Sequence, residues 1–195
     1  MAQVENKVAE QAEAAEAMVE ELNHVDVIDD DEAAATAAAD ALVAFLRQKP
    51  NCRCADCASP LDELRDAWIS TPIGVIVCHR CAAAHRSLGS VHTRVKSPVF
   101  DRWTVESART ITQQGDNAAA RRKYLAELPA GYKEPGPDTP EERVRAFVRQ
   151  KYVRLRWAEA ELRAAHLAAQ KSAGVQGRAK AKAAPSKVRS LGSDA

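Results

Sequence analysis

The sequence predicts an α+β fold: a small, mostly helical domain with a short β-sheet beside four paired cysteines, flanked by disordered tails. Three observations predict it. Four of the five cysteines fall in two C-x-x-C pairs, Cys54-Ala-Asp-Cys57 and Cys78-His-Arg-Cys81, with twenty residues between the pairs. Each pair sets two sulfurs on a tight knuckle, and two knuckles complete the tetrahedron of one structural zinc ion. Segments of helical period surround the pairs, with a single β-branched run just before the second. The ends carry opposite charge on a nearly neutral whole of +1. Residues 1–35 hold eleven Asp or Glu against Lys7 alone, and residues 171–195 hold six Lys or Arg against Asp194 alone. The chain of 195 residues therefore divides into an acidic, alanine-rich tail (1–35), a zinc-finger domain (36–165) and a basic low-complexity tail (166–195).

The metal reading competes with two disulfides. The chain begins without a basic-then-apolar leader, and it lacks the apolar run of about 18 residues that spans a membrane. A reducing compartment, and thus a metal, is the expectation. Cys52 makes only a C-x-C step with Cys54 and reads as a spare thiol. His79, His85 and His92 are alternative ligands, expected instead to pack and hydrogen-bond. The hydrophobic share of 46% is largely alanine, and aromatics reach only 5%, so the core is thin and a metal staple is useful.

The elements follow in order. Val8 to Leu22 has good helix formers but few large apolar residues, and reads as a solvated tail. Ala41, Leu42, Phe45 and Leu46 recur at helical spacing, and Pro50 ends that segment. Ile73 to Val77 predicts a strand running into the second knuckle. Ala82 to Leu88 predicts a helix that starts at Cys81 and stops at Gly89. Val91 to Ser97 alternates as an extended segment before Pro98. Thr104 caps a helix to Gln114, and another helix runs from Asn117 to Leu128. Thr139-Pro140-Glu141-Glu142 combines a threonine cap, a first-turn proline and a capping-box glutamate. Val144, Phe147, Val148, Tyr152 and Leu155 then form one apolar stripe, with Arg143, Arg145, Arg149, Arg154 and Arg156 on the exposed side.

Several motifs now stand in one order: Asn51 with Cys54-Ala-Asp-Cys57; Trp68, Gly74-Val75 and Cys78-x-x-Cys81; and His85-Arg86-Ser87-Leu88-Gly89. Val91-His92-x-Arg94-Val95-Lys96-Ser97, Asp101-x-Trp103, Gly115-Asp-Asn117-Ala118 and Phe147-Val-Arg149-x-Lys151-Tyr152 follow. From about Ala41 to Trp157 this set resembles an ArfGAP domain, the zinc-containing module that stimulates GTP hydrolysis by Arf-family small GTPases. The resemblance implies a structural Zn2+ on Cys54, Cys57, Cys78 and Cys81, and a catalytic arginine finger at Arg86. It implies GTPase contact through Trp68, Arg94, Phe100 and Asp101, and an activator rather than a hydrolase. It also implies a cytoplasmic role in vesicle trafficking, with recruitment to Golgi or endosomal membranes. The interval between the cysteine pairs is longer than the family's usual one; the surplus around Leu61 to Arg65 reads as a loop insertion. Pro72 and Pro98 also depart from the family pattern and put substrate choice in question.

Two other readings stand beside it. An ArfGAP-fold adaptor would bind without stimulating turnover. A GATA-like nucleic-acid finger shares the cysteine spacing, but the helix after the second knuckle offers only His85 and Arg86 for readout, so no nucleic acid is expected. The basic tail, with Lys171, Arg178, Lys180, Lys182, Lys187 and Arg189, suits an anionic membrane surface at about 1 kcal/mol per charge held there.

Overall fold

The computed structural model describes residues 25–169. The Val8–Leu22 stretch, expected as a solvated tail, and most of the basic tail lie outside them. The described residues up to Glu159 form one compact unit; the stretch from Ala160 is a second, helical over 160–169. Among the described residues no helix is long and apolar enough to cross a membrane.

The fold begins upstream of the boundary expected at 36. Val25 is buried, and β1 (Val27–Ile28) pairs in parallel with β5 (Trp103–Thr104). Helix α1 (Glu32–Leu46) starts at Asp31, whose carboxylate accepts from the Ala33 and Ala34 amides. It buries Ala35, Ala38, Leu42, Phe45 and Leu46, one stripe at helical spacing. The alanines that suggested a solvated tail instead allow close packing against α3 (Val105–Gln113). Helix α3 opens on the expected Thr104 cap, reciprocated by Ser107.

The sheet is a three-stranded antiparallel unit of order β3-β2-β4: β2 is Ala67–Thr71, β3 is Val75–Cys78 and β4 is Arg94–Lys96. The expected strand at Ile73–Val77 is thus the second arm of a hairpin, and its first arm carries Trp68. Gly74 turns the hairpin at φ +78°, and a Cβ there would fall 2.0 Å from the Gln114 Oε1. The segment Leu61–Arg65 is more than an inserted loop: Leu61 and Leu64 are buried in the cluster that holds Leu42, Ile69, Ile76 and Trp103.

Helix α2 (His79–Arg86) starts directly after Cys78, earlier than expected, and ends ahead of Gly89, whose φ is +91°. The extended segment after it shortens to β4. Helix α4 (Asn117–Tyr124) stops short of Leu128. Helix α5 (Glu141–Val148) does not use Thr139 as its cap: that hydroxyl accepts from the Gly136 amide, and Pro140 takes the cap position without a side-chain bond. The helix then widens into a π turn over Arg149–Val153. This widening lets the adjacent Lys151 and Tyr152 both point inward. The predicted stripe of Val144, Phe147, Val148, Tyr152 and Leu155 is buried throughout.

Candidate functional site

The first knuckle is a tight turn closed by backbone bonds. The Cys54 amide donates to the Ser59 carbonyl (2.9 Å) and the Ala58 amide to the Cys54 carbonyl (3.0 Å), with Ala58 at φ 56°. The second knuckle joins β3 to α2, so Cys78 ends a strand and Cys81 sits in the first helical turn. All four Sγ atoms lie within 4.8 Å of one another, and Cys57 Sγ to Cys78 Sγ is 3.6 Å. Sulfurs about 2.3 Å from a tetrahedral zinc stand about 3.8 Å apart, so the cluster fits that ion.

The charge chemistry agrees. Hydrogen bonds within the cluster, first from Cys54, pull the Cys57 thiol far down and the Cys78 thiol to about 7. Bonds within the same cluster push Cys54 and Cys81 well up. Four sulfurs this close cannot all be anionic without a cation among them, and a divalent ion supplies it. Zinc is the structural cofactor of this domain. Cys52 stays outside the cluster, its Sγ near the Arg47 and Gln48 carbonyls.

The residues between the ligands dock each knuckle to the rest of the domain. Arg80 donates to the Thr139 and Gly136 carbonyls at 2.5 and 2.7 Å. His79 is exposed and meets Trp68 edge-on at 5.8 Å. Asp56 turns inward: Oδ1 accepts from Lys151 Nζ and Tyr152 Oη, both at 2.9 Å, and Oδ2 accepts from His85 Nε2 at 2.8 Å. Lys151 is 1% exposed and also donates to the Ala55 carbonyl. Burial alone would raise the Asp56 carboxyl, but the Lys151 charge and the His85 bond outweigh it and hold it well below its ordinary range. Burial, with the Asp56 charge beside it, pushes the Tyr152 phenol up, so it remains a donor. Ser70, His85 and Asp56 form a serine–histidine–carboxylate chain, but Ser70 and His85 are fully buried, so no substrate reaches the hydroxyl. The chain is structural.

Asparagines perform a similar task at the sheet edge. The Asn117 Oδ1 accepts from the Ile76 amide, and its Nδ2 donates to the Ile76 and Arg53 carbonyls. Its own amide donates to Asn51 Oδ1, and Asn51 Nδ2 donates to the Phe45 carbonyl. One side chain thus covers the free edge of β3 and ties it to the first knuckle. Asn51, Asn117, Lys151 and Tyr152 all lay within motifs quoted from the sequence; Asp56 lay inside the first cysteine pair. Their mutual contacts gave no local signal.

Arg86 is the last residue of α2 and is exposed. Among the described residues no ion pair holds it; its guanidinium lies over the Trp68 ring, 4.6 Å from the centroid. Trp68 is half-buried on β2 and lines an open hollow of about 690 Å³ with His79, Arg80 and Phe100. Phe100 is 64% exposed. Asp101 is committed to the loop that presents it: the carboxylate accepts from the Ser97 amide at 2.7 Å, while Ser97 Oγ accepts from the Val99 and Phe100 amides. Arg94 is exposed on β4, opposite Thr71 in register and therefore about 10 Å along β2 from Trp68. The fold brings Arg86, Trp68 and Phe100 to one region and sets Arg94 apart along the strand.

A family model described as "ArfGap: Putative GTPase activating protein for Arf" matches residues 39–161. The chain is 37% identical over 119 residues to the ADP-ribosylation factor GTPase-activating protein AGD12 of Arabidopsis thaliana, covering 61% of this chain and 34% of that protein. It is 40% identical over 108 residues to Stromal membrane-associated protein 1 of Homo sapiens, covering 55% and 21%. The match thus spans about a third or less of these curated relatives. A solved structure, the ArfGap domain of HIV-1 Rev binding protein, superposes with a TM-score of 0.54 at 19% identity, covering 64% of this chain and 89% of that one; this similarity concerns the fold. The family match covers most of the chain, all four clustered cysteines and Arg86, and the chain belongs to the ArfGap family.

Proposed function

We propose that this chain stimulates GTP hydrolysis by an Arf-family GTPase, inserting Arg86 into the partner's nucleotide site. The observation that carries the reading is an exposed arginine at the end of a helix that starts directly after Cys78 of the four-cysteine cluster, with no carboxylate pairing it among the described residues. Small GTPases are slow because charge developing on the transferred phosphoryl group is poorly stabilised, and an arginine supplied in trans is worth about 10³–10⁵ in rate. Guanidinium suits this because it stays charged and offers a planar fork of donors, where lysine offers a point charge. The GTPase brings its own nucleotide, magnesium and attacking water. Zinc holds the scaffold, since four thiolates leave no position for an activated water. Trp68 and Phe100 are the apolar contacts we assign to the partner, with Arg94 and the Asp101 loop at their margin.

The test is a GTP-hydrolysis assay over a panel of Arf-family GTPases, run on liposomes with parent and Arg86→Lys protein. We expect Arg86→Lys to lose nearly all stimulation while keeping one zinc per chain and parental stability. Full stimulation by Arg86→Lys refutes the finger. Binding of the GTP form by the parent without turnover favours the adaptor reading. Comparing anionic with neutral liposomes reports whether the basic tail adds membrane attraction.

A further inference from the structure

We propose that His85 is a positioning residue for Arg86: it fixes the roll of α2 so that the next side chain projects to solvent over Trp68. The inference rests on the finger reading above. Successive side chains on an α-helix diverge by about 100°. Pinning one residue of the last turn therefore sets the direction of its neighbour. His85 is fully buried, and its ring is held at both ends by different elements: Nδ1 by Ser70 Oγ of β2 at 2.8 Å, and Nε2 by Asp56 of the first knuckle at 2.8 Å. With Nε2–H donated to the carboxylate, Nδ1 accepts from the Ser70 hydroxyl, whose oxygen in turn accepts from Thr93. Two directional bonds across a planar ring fix both its orientation and its depth. The anchor itself is fixed, because Lys151 and Tyr152 both grip Asp56.

The strand under the helix completes the device. Trp68 and Ser70 are two apart on β2 and share one face. Ser70 meets the buried His85, while Trp68 meets the exposed His79 and Arg86. His79 and Arg86 are seven apart, two turns on one side of α2. One strand face thus engages both sides of the helix end. Filling space alone would be served by an apolar side chain, because a buried ring with polar atoms costs free energy unless both are satisfied.

The experiment uses the zinc-loaded full chain and two variants. His85→Gln keeps a donor for Asp56 but loses the Ser70 bond; Ser70→Ala keeps the imidazole and removes its Nδ1 partner, together with the Ser70 bond to Thr93. In the parent, Arg86 side-chain protons above the Trp68 ring should show an upfield ring-current shift by NMR. In both variants, with zinc and backbone amide spectrum retained outside α2, that shift should collapse. The kcat for GTPase-bound GTP should fall about 10–100-fold, the scale of a misplacement near 1 Å, while KM is nearly unchanged. The proposal is overturned if the parent shows no ring-current shift, or if folded variants keep it with parental kcat. It is also overturned if KM rises while kcat stays at the parental value, or if both variants lose zinc, which makes His85 a folding residue only. Arg86→Lys run in parallel separates the two ideas: full stimulation there removes the finger, while the NMR shift still reports whether His85 orients Arg86.

Discussion

Replacing Lys151 by methionine removes one charge from a buried pair and leaves the other in place. The Asp56 carboxylate and the Lys151 ammonium are 2.9 Å apart, and their side chains are 0% and 1% exposed. At that distance, with an effective dielectric of about 20, their attraction is about 6 kcal/mol. Methionine recovers the packing of the lysine stem but none of that attraction, and Asp56 keeps only the His85 and Tyr152 donors. Removing one partner of such a pair costs about 3–5 kcal/mol. A domain of this kind holds about 5–15 kcal/mol in all. Zinc-saturated thermal unfolding should therefore lose roughly 10–20 °C. Asp56→Asn with Lys151→Met together should cost less than the sum of the singles by about 2 kcal/mol or more, since both act on one interaction. Free zinc must be held constant across the series, because metal binding contributes directly to stability. A Lys151→Met protein that loses less than about 1 kcal/mol would refute the argument, because the pair would then be wet or broken in solution.

Two further outcomes follow from the same structure. Asn117→Ala leaves the Ile76 amide and the Arg53 carbonyl without their side-chain partner and should cost about 2–3 kcal/mol in urea unfolding, with the m-value unchanged. Cys81→Ser should abolish stoichiometric zinc and cooperative unfolding, whereas Cys52→Ser should retain one zinc per chain by elemental analysis.

Some of this was legible in the sequence because the signals are local. The cysteine spacing picked out the four residues whose sulfurs cluster, the Thr104 cap named the start of α3, and the stripe from Val144 to Leu155 named a buried helix face. Other features left no local trace. The hairpin arm Ala67–Thr71 has no alternating pattern of its own, because Ile69 and Ser70 are both buried, one against the core and one against His85. The start of α1 was hidden by alanines, which suit a solvated helix and a close-packed one equally. Thr139 carried a cap signature, but its hydroxyl serves the preceding turn and its carbonyl serves Arg80. The Asp56–Lys151 pair joins positions 95 apart, which no window of sequence pattern can connect.

That separation bears on how the domain is made. Both cysteine pairs leave the ribosome well before Lys151 and Tyr152, so on an emerging chain the Asp56 carboxylate still lacks its counter-charge. The nascent fold is incomplete until the π turn is synthesised. Any shortened version intended for expression should therefore extend past Trp157, and fragments ending ahead of Lys151 should be poor folders even when fully loaded with metal.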